Sequence, residues 1–329
     1  MFLRVALFAA CLLSASTGLA AQYGGRLEGF DYPHPVKIFA FQSQRQALEM
    51  TYMDVKPRKA NGGTVLLLHG KNFCAATWEG TITALSEAGF RVVAVDQVGF
   101  CKSSKPENYQ FTLHQLAANT RALLDSLGIE KSHVLGHSMG GMLAARYALM
   151  YPQATTQLLM LNPIGLEDWK ALGVPWRSVD DWFAREKATT ADSIRSYQRE
   201  IYFNGDWKPE YDRWVEMLAG MYASPDGERV AWNQAQTSDM VFTQPVVHEF
   251  ANIRVSTTLF IGQRDRTAIG RDLAPENLKA QLGNYPELGQ QAARMIPYAT
   301  LVAFDELGHS PHVEAPARFH NVLMAILRR

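Results

Sequence analysis

The stretch "VLGHSMGGMLAARYALMYP", residues 134–152, places Ser138 between a short apolar run and a segment with helical spacing. Gly136 and Gly140 flank the serine, each two residues away. Glycine fits a tight backbone turn because it has no Cβ atom to clash. The pattern therefore predicts a sharp turn between a strand and a helix, with the Ser138 side chain presented outward. In that setting a Gly-x-Ser-x-Gly motif marks a nucleophile.

A serine hydroxyl is a weak nucleophile unless a base accepts its proton, so Ser138 requires an imidazole nearby. The late stretch "FDELGHSPHVEAPARF" offers His309 directly after a predicted strand, with His312 as a competitor. We predict His309 as the base, because Gly308 lets its loop turn back toward the sheet. His312 lies closer to the final helix.

A carboxylate should orient the imidazole and stabilise its charged form. In "TLFIGQRDRTA", Asp265 follows a strand-like segment and lies between the serine and the histidine in chain order. The alternative is a surface ion pair of Asp265 with Arg264 or Arg266. Asn162 follows the preceding strand, but an amide cannot supply the negative charge.

Backbone amides are the usual donors to the oxyanion that forms during acyl transfer. The loop in "LLLHGKNFCAATW" makes the amide of Lys71 one candidate, and the amide of Met139, after the nucleophile, is the other. Asn72 is a candidate to assist them. The Lys71 side chain either meets an acidic substrate or is solvated, as long cations commonly are.

Short apolar strands alternate with helical segments over most of the chain, which predicts an α/β fold with a mostly parallel sheet flanked by helices. The alternation of strands and helices stops at 165–250. This range contains six of the seven tryptophans and amphipathic segments such as "SVDDWFAREK". We interpret 165–250 as a helical cap inserted between two late strands. Alternatively, these tryptophans fill the core of a helical subdomain. An aromatic cap predicts an apolar, aryl-tolerant pocket, with these candidate substrate contacts: Asn72, Tyr202, Trp207, Trp214, Met217 and Met221.

Composition excludes several classes of function. The chain of 329 residues has 32 basic and 32 acidic residues, so it lacks the positive charge of a nucleic-acid-binding protein and indicates a small-molecule partner. It has no His-Glu-x-x-His cluster and no Gly-x-x-x-x-Gly-Lys loop, so we expect neither a metal nor a nucleotide cofactor. The sequence does not indicate an oligomeric state.

The first segment, "MFLRVALFAACLLSASTGLAAQ", has one arginine, an apolar stretch and small residues at its end, which predicts a signal peptide over 1–20. Export to the periplasm or outside the cell would follow. The alternative is a lipoprotein anchored through Cys11. No later apolar run reaches the length of about 20 residues that a membrane span needs. An oxidising compartment would permit a disulfide between Cys74 and Cys101, whereas the alternative is two buried thiols.

The segments "HGKNFCAATW", "DQVGFCKSS", "GHSMGG", "GQRD" and "LGHSPHVEAPARF" resemble the α/β-hydrolase superfamily in its lidded branch. The resemblance covers residues 36–329. It implies a triad of Ser138, Asp265 and His309 and an oxyanion hole at Lys71 and Met139. It also implies a hydrolase core at 21–164 and 251–329 around the cap. Many relatives have proline in place of Asn72 and glycine in place of Cys101.

The serine nucleophile narrows the function that this resemblance implies. Haloalkane dehalogenases and epoxide hydrolases use an aspartate there, so Ser138 argues against both mechanisms. We expect a serine hydrolase, similar to carboxylesterases, that cleaves ester or lactone bonds of small, largely apolar substrates. The alternatives within the fold are a carbon–carbon bond hydrolase and a perhydrolase. An alternative of another class is a catalytically idle binding module, which loss of a triad member would favour.

Overall fold

A mixed sheet of eight strands forms the centre of the computed structural model, which describes residues 23–328. The predicted signal peptide lies outside these residues. The strands are β1 Val36–Ser43, β2 Gln46–Val55, β3 Thr64–Leu68, β4 Arg91–Val95, β5 Ser132–His137, β6 Thr155–Leu161, β7 Thr257–Gly262 and β8 Ala299–Phe304. Their order in the sheet is β1-β2-β4-β3-β5-β6-β7-β8.

The direction of the strands determines where the loops meet. β1 pairs antiparallel with β2, and β2 pairs antiparallel with β4. All other neighbours are parallel, from β4 through β3, β5, β6 and β7 to β8. Parallel strands bring their carboxyl ends to one edge, which is where ligands bind in open α/β sheets. The loops after β3, β5, β7 and β8 therefore share this edge.

Helices cover both faces of the sheet, as the alternating pattern predicts. The α-helices in the described range are α1 Glu79–Glu87, α2 Leu113–Ser126, α3 Met139–Met150, α4 Trp169–Leu172, α5 Val179–Lys187, α6 Ala191–Tyr197, α7 Asp212–Tyr222, α8 Gly227–Thr243, α9 Glu276–Lys279, α10 Tyr285–Met295, α11 Pro311–Glu314 and α12 Pro316–Leu327. α4 to α8 lie between β6 and β7, so a helical cap is inserted between two late strands, as the sequence predicts. None of the helices in residues 23–328 is long and apolar enough to cross a membrane.

Strand β3 shows how the core is built. Its last four residues are fully buried, and Leu66 and Leu68 pack in one apolar cluster, whereas Val65 and Leu67 pack in another. Successive side chains of a strand point to opposite faces. A strand covered by helices on both faces therefore needs a continuous apolar run, and this explains why "TVLLL" does not alternate.

Candidate active site

Ser138 lies in the turn between β5 and α3 and has φ 56° and ψ −121°. A non-glycine residue with positive φ is strained, and such strain is concentrated at functional sites. A Cβ atom on Gly136 would lie 1.9 Å from the carbonyl oxygen of Gly140. One on Gly140 would lie 2.2 Å from the carbonyl oxygen of Leu68. Both glycines are thus required for the turn that places Ser138 at the edge of the sheet.

His309 and Asp265 form a buried pair at the same edge. His309 Nδ1 lies 2.6 Å from Asp265 Oδ2, and neither side chain is exposed. The amide of Thr267 donates to Asp265 Oδ1 at 2.8 Å. Arg266 donates to the backbone carbonyl of Asp265 and not to its carboxylate, so the alternative of a surface ion pair is wrong. In a neutral imidazole, a proton on Nδ1 directed at Asp265 leaves Nε2 as an acceptor.

His309 Nε2 is buried and has no hydrogen-bond partner within residues 23–328. In unliganded enzymes the bond from the nucleophile to its base is often long and shortens when substrate binds. His312, the competing base, packs against the ring of Trp78 at 4.5 Å between centroids. Burial lowers the pKa of His312 to about 3. His309, and not His312, is thus paired with the carboxylate.

Asn162 follows β6 and bonds to the carboxylate of Asp265, a role that the sequence analysis did not assign to it. Its Nδ2 donates to Asp265 Oδ2 at 2.9 Å, and its Oδ1 accepts from the amide of Gly262 at 2.9 Å. Asn162 has φ 38°, a left-handed conformation in which asparagine is enriched among residues other than glycine. The sequence signal for this contact is the position of Asn162 directly after a strand of the parallel sheet. The end of that strand lies beside the loop after β7, which carries Asp265.

The two predicted oxyanion donors lie beside the serine. A Cβ atom on Gly70 would lie 3.0 Å from the Cβ atom of Ser138, so the loop after β3 passes close to the nucleophile. Met139 is the first residue of α3. In the described part of the chain, neither the amide of Lys71 nor that of Met139 is bonded to another backbone group. Both amides can therefore donate to an oxyanion.

Comparison with known proteins identifies the family. A family model described as the alpha/beta hydrolase fold matches residues 63–204. A probable hydrolytic enzyme from Pseudomonas aeruginosa PAO1, whose crystal structure is solved, is 61% identical. The alignment covers 93% of this chain and 98% of that one, with a TM-score of 0.92. The chain belongs to the α/β-hydrolase superfamily. The predicted fold and family are confirmed.

Other α/β-hydrolases are more distant. The 2-hydroxy-6-oxo-2,4-heptadienoate hydrolase of Pseudomonas putida is 25% identical over 218 residues, which is 62% of this chain and 73% of that protein. An esterase from Exiguobacterium antarcticum is 20% identical, with a TM-score of 0.69 over 86% of this chain and 97% of that one. The likeness to the esterase shows only that the two proteins share a fold. The family match and the 61% identity together show that this chain is a hydrolase of the α/β fold.

A cavity of about 650 Å³ lies between the cap and the core of this α/β-hydrolase. Lys71 and Asn72 line it from the loop after β3, which brings it to the predicted oxyanion donors. Its lining does not include Ser138 or His309. Apolar walls come from the cap, including Trp182, Ile194, Ile201 and Leu218, whereas Arg266 and Arg271 come from the segment after β7. The lining is therefore partly charged, which differs from the predicted apolar pocket.

The predicted substrate contacts are only partly represented among the residues that line this cavity. Asn72 lines the cavity, but the remaining five do not, namely Tyr202, Trp207, Trp214, Met217 and Met221. Met217 and Met221 are buried in the core cluster, and the cavity face of α7 consists of Leu218 and Tyr222. The spacing of α7 shows that it is amphipathic, but the cap packing determines which stripe faces the cavity.

The Lys71 side chain is mostly buried and is paired with the cap. Its Nζ donates to Glu186 Oε1 of α5 at 2.9 Å and to Gln234 Oε1 of α8 at 3.2 Å. The side chains of Lys71 and Glu186 are 11% and 12% exposed. Glu186 also accepts from the hydroxyl of Tyr222 at 2.5 Å. The expectation that the Lys71 side chain is solvated is wrong, because the cap supplies its partner.

Cys74 and Cys101 are joined by a disulfide bond, with their Cα atoms 5.9 Å apart. Asp96 lies beside them. One of its carboxylate oxygens and the two sulfur atoms all lie within 4.8 Å of one another. The two sulfur atoms are bonded to each other, so they do not offer a pair of thiolates to a metal. Asp96 instead accepts from the amides of Ala75 and Lys102. This cluster links the loops after β3 and β4.

Proposed function

We propose that this hydrolase cleaves carboxylic ester or lactone bonds of small substrates through an acyl-enzyme on Ser138. The observation that carries the proposal is the buried pair of His309 Nδ1 and Asp265 Oδ2, 2.6 Å apart, at the sheet edge where Ser138 occupies its strained turn. A nucleophile, a base and an orienting carboxylate in that chain order are the parts that acyl transfer requires.

The proposed reaction proceeds in two halves. Ser138 Oγ attacks the carbonyl carbon and gives its proton to His309 Nε2, while Asp265 stabilises the imidazolium. The carbonyl oxygen becomes an oxyanion beside the amides of Lys71 and Met139. His309 then returns the proton to the leaving alkoxide, and the acyl group remains on Ser138. Water attacks this ester with His309 as base, which releases the acid and restores the serine.

The substrate proposal draws on the cavity that Lys71 and Asn72 line, beside the proposed oxyanion donors. Apolar cap side chains such as Ile201 and Leu218 suit a short acyl or aryl part, whereas Arg266 and Arg271 suit a polar end. A volume of about 650 Å³ lies within the range of small-molecule sites. We therefore favour a small ester or lactone that is apolar over part of its length.

The deciding experiment is hydrolysis of nitrophenyl esters, from acetyl to dodecanoyl with an aryl ester added, by the parent protein and by Ser138→Ala. We expect the variant to lose several orders of magnitude in turnover because the triad acts as a unit. Ser132→Ala is the matched control, since Ser132 is a buried serine at the other end of β5. It should retain turnover. Equal rates for the parent protein and Ser138→Ala would refute the assignment.

A second candidate is hydrolysis of a carbon–carbon bond. It is favoured by the 25% identity to a hydrolase of 2-hydroxy-6-oxo-2,4-heptadienoate. A compound of that name has a ketone and a carboxylate but no ester, so hydrolysis between its carbons must break a carbon–carbon bond. Labelling of Ser138 by a fluorophosphonate without ester turnover would favour this reaction or a lactone. Failure of labelling and of turnover would favour a binding module.

We also propose that the protein is exported. The composition of residues 1–20 and the disulfide between Cys74 and Cys101 support an oxidising compartment. The test is to sequence the amino terminus of the protein recovered from the periplasm and the culture medium of a bacterial host. A mature terminus near residue 21 is expected, and an intact terminus in the cytoplasm alone would refute export.

A further inference from the structure

Tyr202 belongs to the cap, yet it contacts both loops that carry the proposed chemistry. It is the last residue of a π-helical turn, Gln198–Tyr202, and only 4% of it is exposed. Such turns are rare and frequently occur at functional sites. Its role is not explained by the cavity, because Tyr202 is not among the lining residues.

The first contact is with the loop that carries the base. The amide of His309 donates to the carbonyl oxygen of Tyr202 at 2.9 Å. A Cβ atom on Gly308 would lie 2.1 Å from that same oxygen, so glycine is needed for the cap backbone to approach this closely. The Tyr202 ring lies 4.4 Å from the imidazole of His309 between centroids, at 30° between planes. Asp265 thus fixes one edge of the imidazole, and Tyr202 covers a face.

The second contact is with the loop after β3. Asn72 Nδ2 donates to the hydroxyl of Tyr202 at 2.8 Å. Asn72 directly follows Lys71, whose amide is a proposed oxyanion donor. Burial raises the pKa of Tyr202 well above its usual value, so the hydroxyl stays neutral. One cap residue is therefore bonded to the base loop through its backbone and to the oxyanion loop through its side chain.

We propose that Tyr202 is a positioning residue, which holds the His309 imidazole and the Asn72 loop in their working geometry. This inference rests on the proposed acyl transfer. The ring has a second effect, because an imidazolium against the face of a neutral aromatic ring is stabilised by the quadrupole of the ring. Tyr202 thereby favours the protonated state that His309 reaches during the reaction.

Two substitutions separate the contacts. Tyr202→Phe retains the ring and loses the bond from Asn72, so kcat should fall by about tenfold. The acidic limb of its kcat/KM profile should not move. Tyr202→Leu also loses the ring, so kcat should fall by about 100-fold, and the acidic limb should shift to lower pH because the imidazolium is less stable.

Other titratable groups near His309 are Asp265, His137, His312 and Glu314, and both substitutions leave them in place. The matched control is Tyr211→Leu. Tyr211 is another buried cap tyrosine, 2% exposed, and its ring stacks on Phe203 at 4.0 Å. We expect this control to be less stable, with a kcat and a pH profile close to those of the parent protein.

The rate of fluorophosphonate labelling of Ser138 distinguishes failure of the proposed function from failure of the proposed role of Tyr202. If the parent protein does not label, the proposed function fails. If the parent labels and Tyr202→Leu labels at the same rate with an unmoved acidic limb, only the role of Tyr202 is refuted. An equal loss of kcat in Tyr211→Leu and Tyr202→Leu would likewise refute it, because the effect would then come from cap stability.

Discussion

Asn162 shows how much a single residue depends on its neighbours in space. It lacks the charge that a triad requires, yet its amide donates to Asp265 Oδ2 and accepts from the amide of Gly262. A buried carboxylate without enough donors is costly, because burial removes the water that would solvate it. Asn162 therefore supplies a hydrogen-bond donor to a carboxylate oxygen of Asp265 that is buried away from water.

We expect Asn162→Leu to lower kcat by roughly tenfold, because a hydrogen bond to a charged group is lost beside the proposed triad. Steady-state kinetics on the best nitrophenyl ester measures this. Asn119→Leu is the control, since Asn119 is also a buried amide and bonds to the hydroxyl of Tyr109. It should reduce stability but not kcat. An unchanged kcat in Asn162→Leu would contradict the supporting role.

The raised pKa of Glu314 predicts that the stability of the protein depends on pH. Its carboxylate accepts from the amides of Gly308 and Ser310 at 2.9 Å each, on either side of His309. Burial nevertheless raises the pKa of Glu314 from 4.5 to about 7. Between these values the folded state binds a proton that the unfolded state has released. The contribution of Glu314 to the free energy of unfolding therefore falls as the pH rises from 4.5 to about 7.

Glu314→Gln removes this titration. We expect the parent protein to be more stable relative to the variant at pH 5 than at pH 8, as measured by urea unfolding at both values. The difference between the two proteins should be constant below about pH 4 and above about pH 8, where both states of Glu314 have the same charge. A difference that does not change between pH 5 and pH 8 would contradict the raised pKa.

Among the elements, the loops after β3 and β4 act as one unit. The disulfide between Cys74 and Cys101 joins them, and buried Asp96 accepts hydrogen bonds from both. The loop after β3 also carries Lys71 and Asn72, so this unit sets the position of the proposed oxyanion donor. A cross-link stabilises a fold mainly by restricting the unfolded chain.

The cross-link closes a separation of 27 residues. We expect Cys74→Ala/Cys101→Gly to lower the free energy of unfolding by about 3 to 4 kcal/mol. Glycine suits position 101 because Cys101 has φ 47°. Urea unfolding with and without reductant measures the change, and the reduced parent protein should resemble the variant. An unchanged midpoint in both would show that the bond does not contribute to stability.

At the scale of the whole molecule, the pair of Lys71 and Glu186 connects the core to the cap. Lys71 lies in the loop after β3, Glu186 lies in α5, and both side chains are mostly buried. Removing one partner of a buried pair leaves a charge without compensation, which costs more than removing both. This ion pair thus joins the cap to the loop that carries the proposed oxyanion donor, beside the bond from Asn72 to Tyr202.

We expect Lys71→Met and Glu186→Gln each to lower the free energy of unfolding by about 3 kcal/mol, with a double variant less destabilised than the sum. Tryptophan fluorescence in urea is a suitable readout, since six of the seven tryptophans lie in the cap. The control is Lys187→Met, because the pair of Lys187 and Glu228 is exposed and should contribute less than about 1 kcal/mol. Strict additivity of the two single variants would contradict the coupling.

The amino-acid sequence by itself determined the order of the strands and helices, the turn at Ser138 and the interruption of the sheet by a helical cap. These features are local, because glycine spacing and hydrophobic period act within one segment. The positions of Asp265 and His309 could also be predicted, since each follows a strand whose carboxyl end meets the same edge.

Only the tertiary structure decided which side chains of those elements contact one another. The phase of α7 places Leu218 and Tyr222 on the cavity and the two methionines, Met217 and Met221, in the core. Asn162 supports Asp265, and Tyr202 reaches two loops that are far apart in the chain. An amphipathic pattern fixes which side chains share a face, but packing against a neighbour fixes where that face points. These contacts join residues more than a hundred positions apart, so no local pattern encodes them.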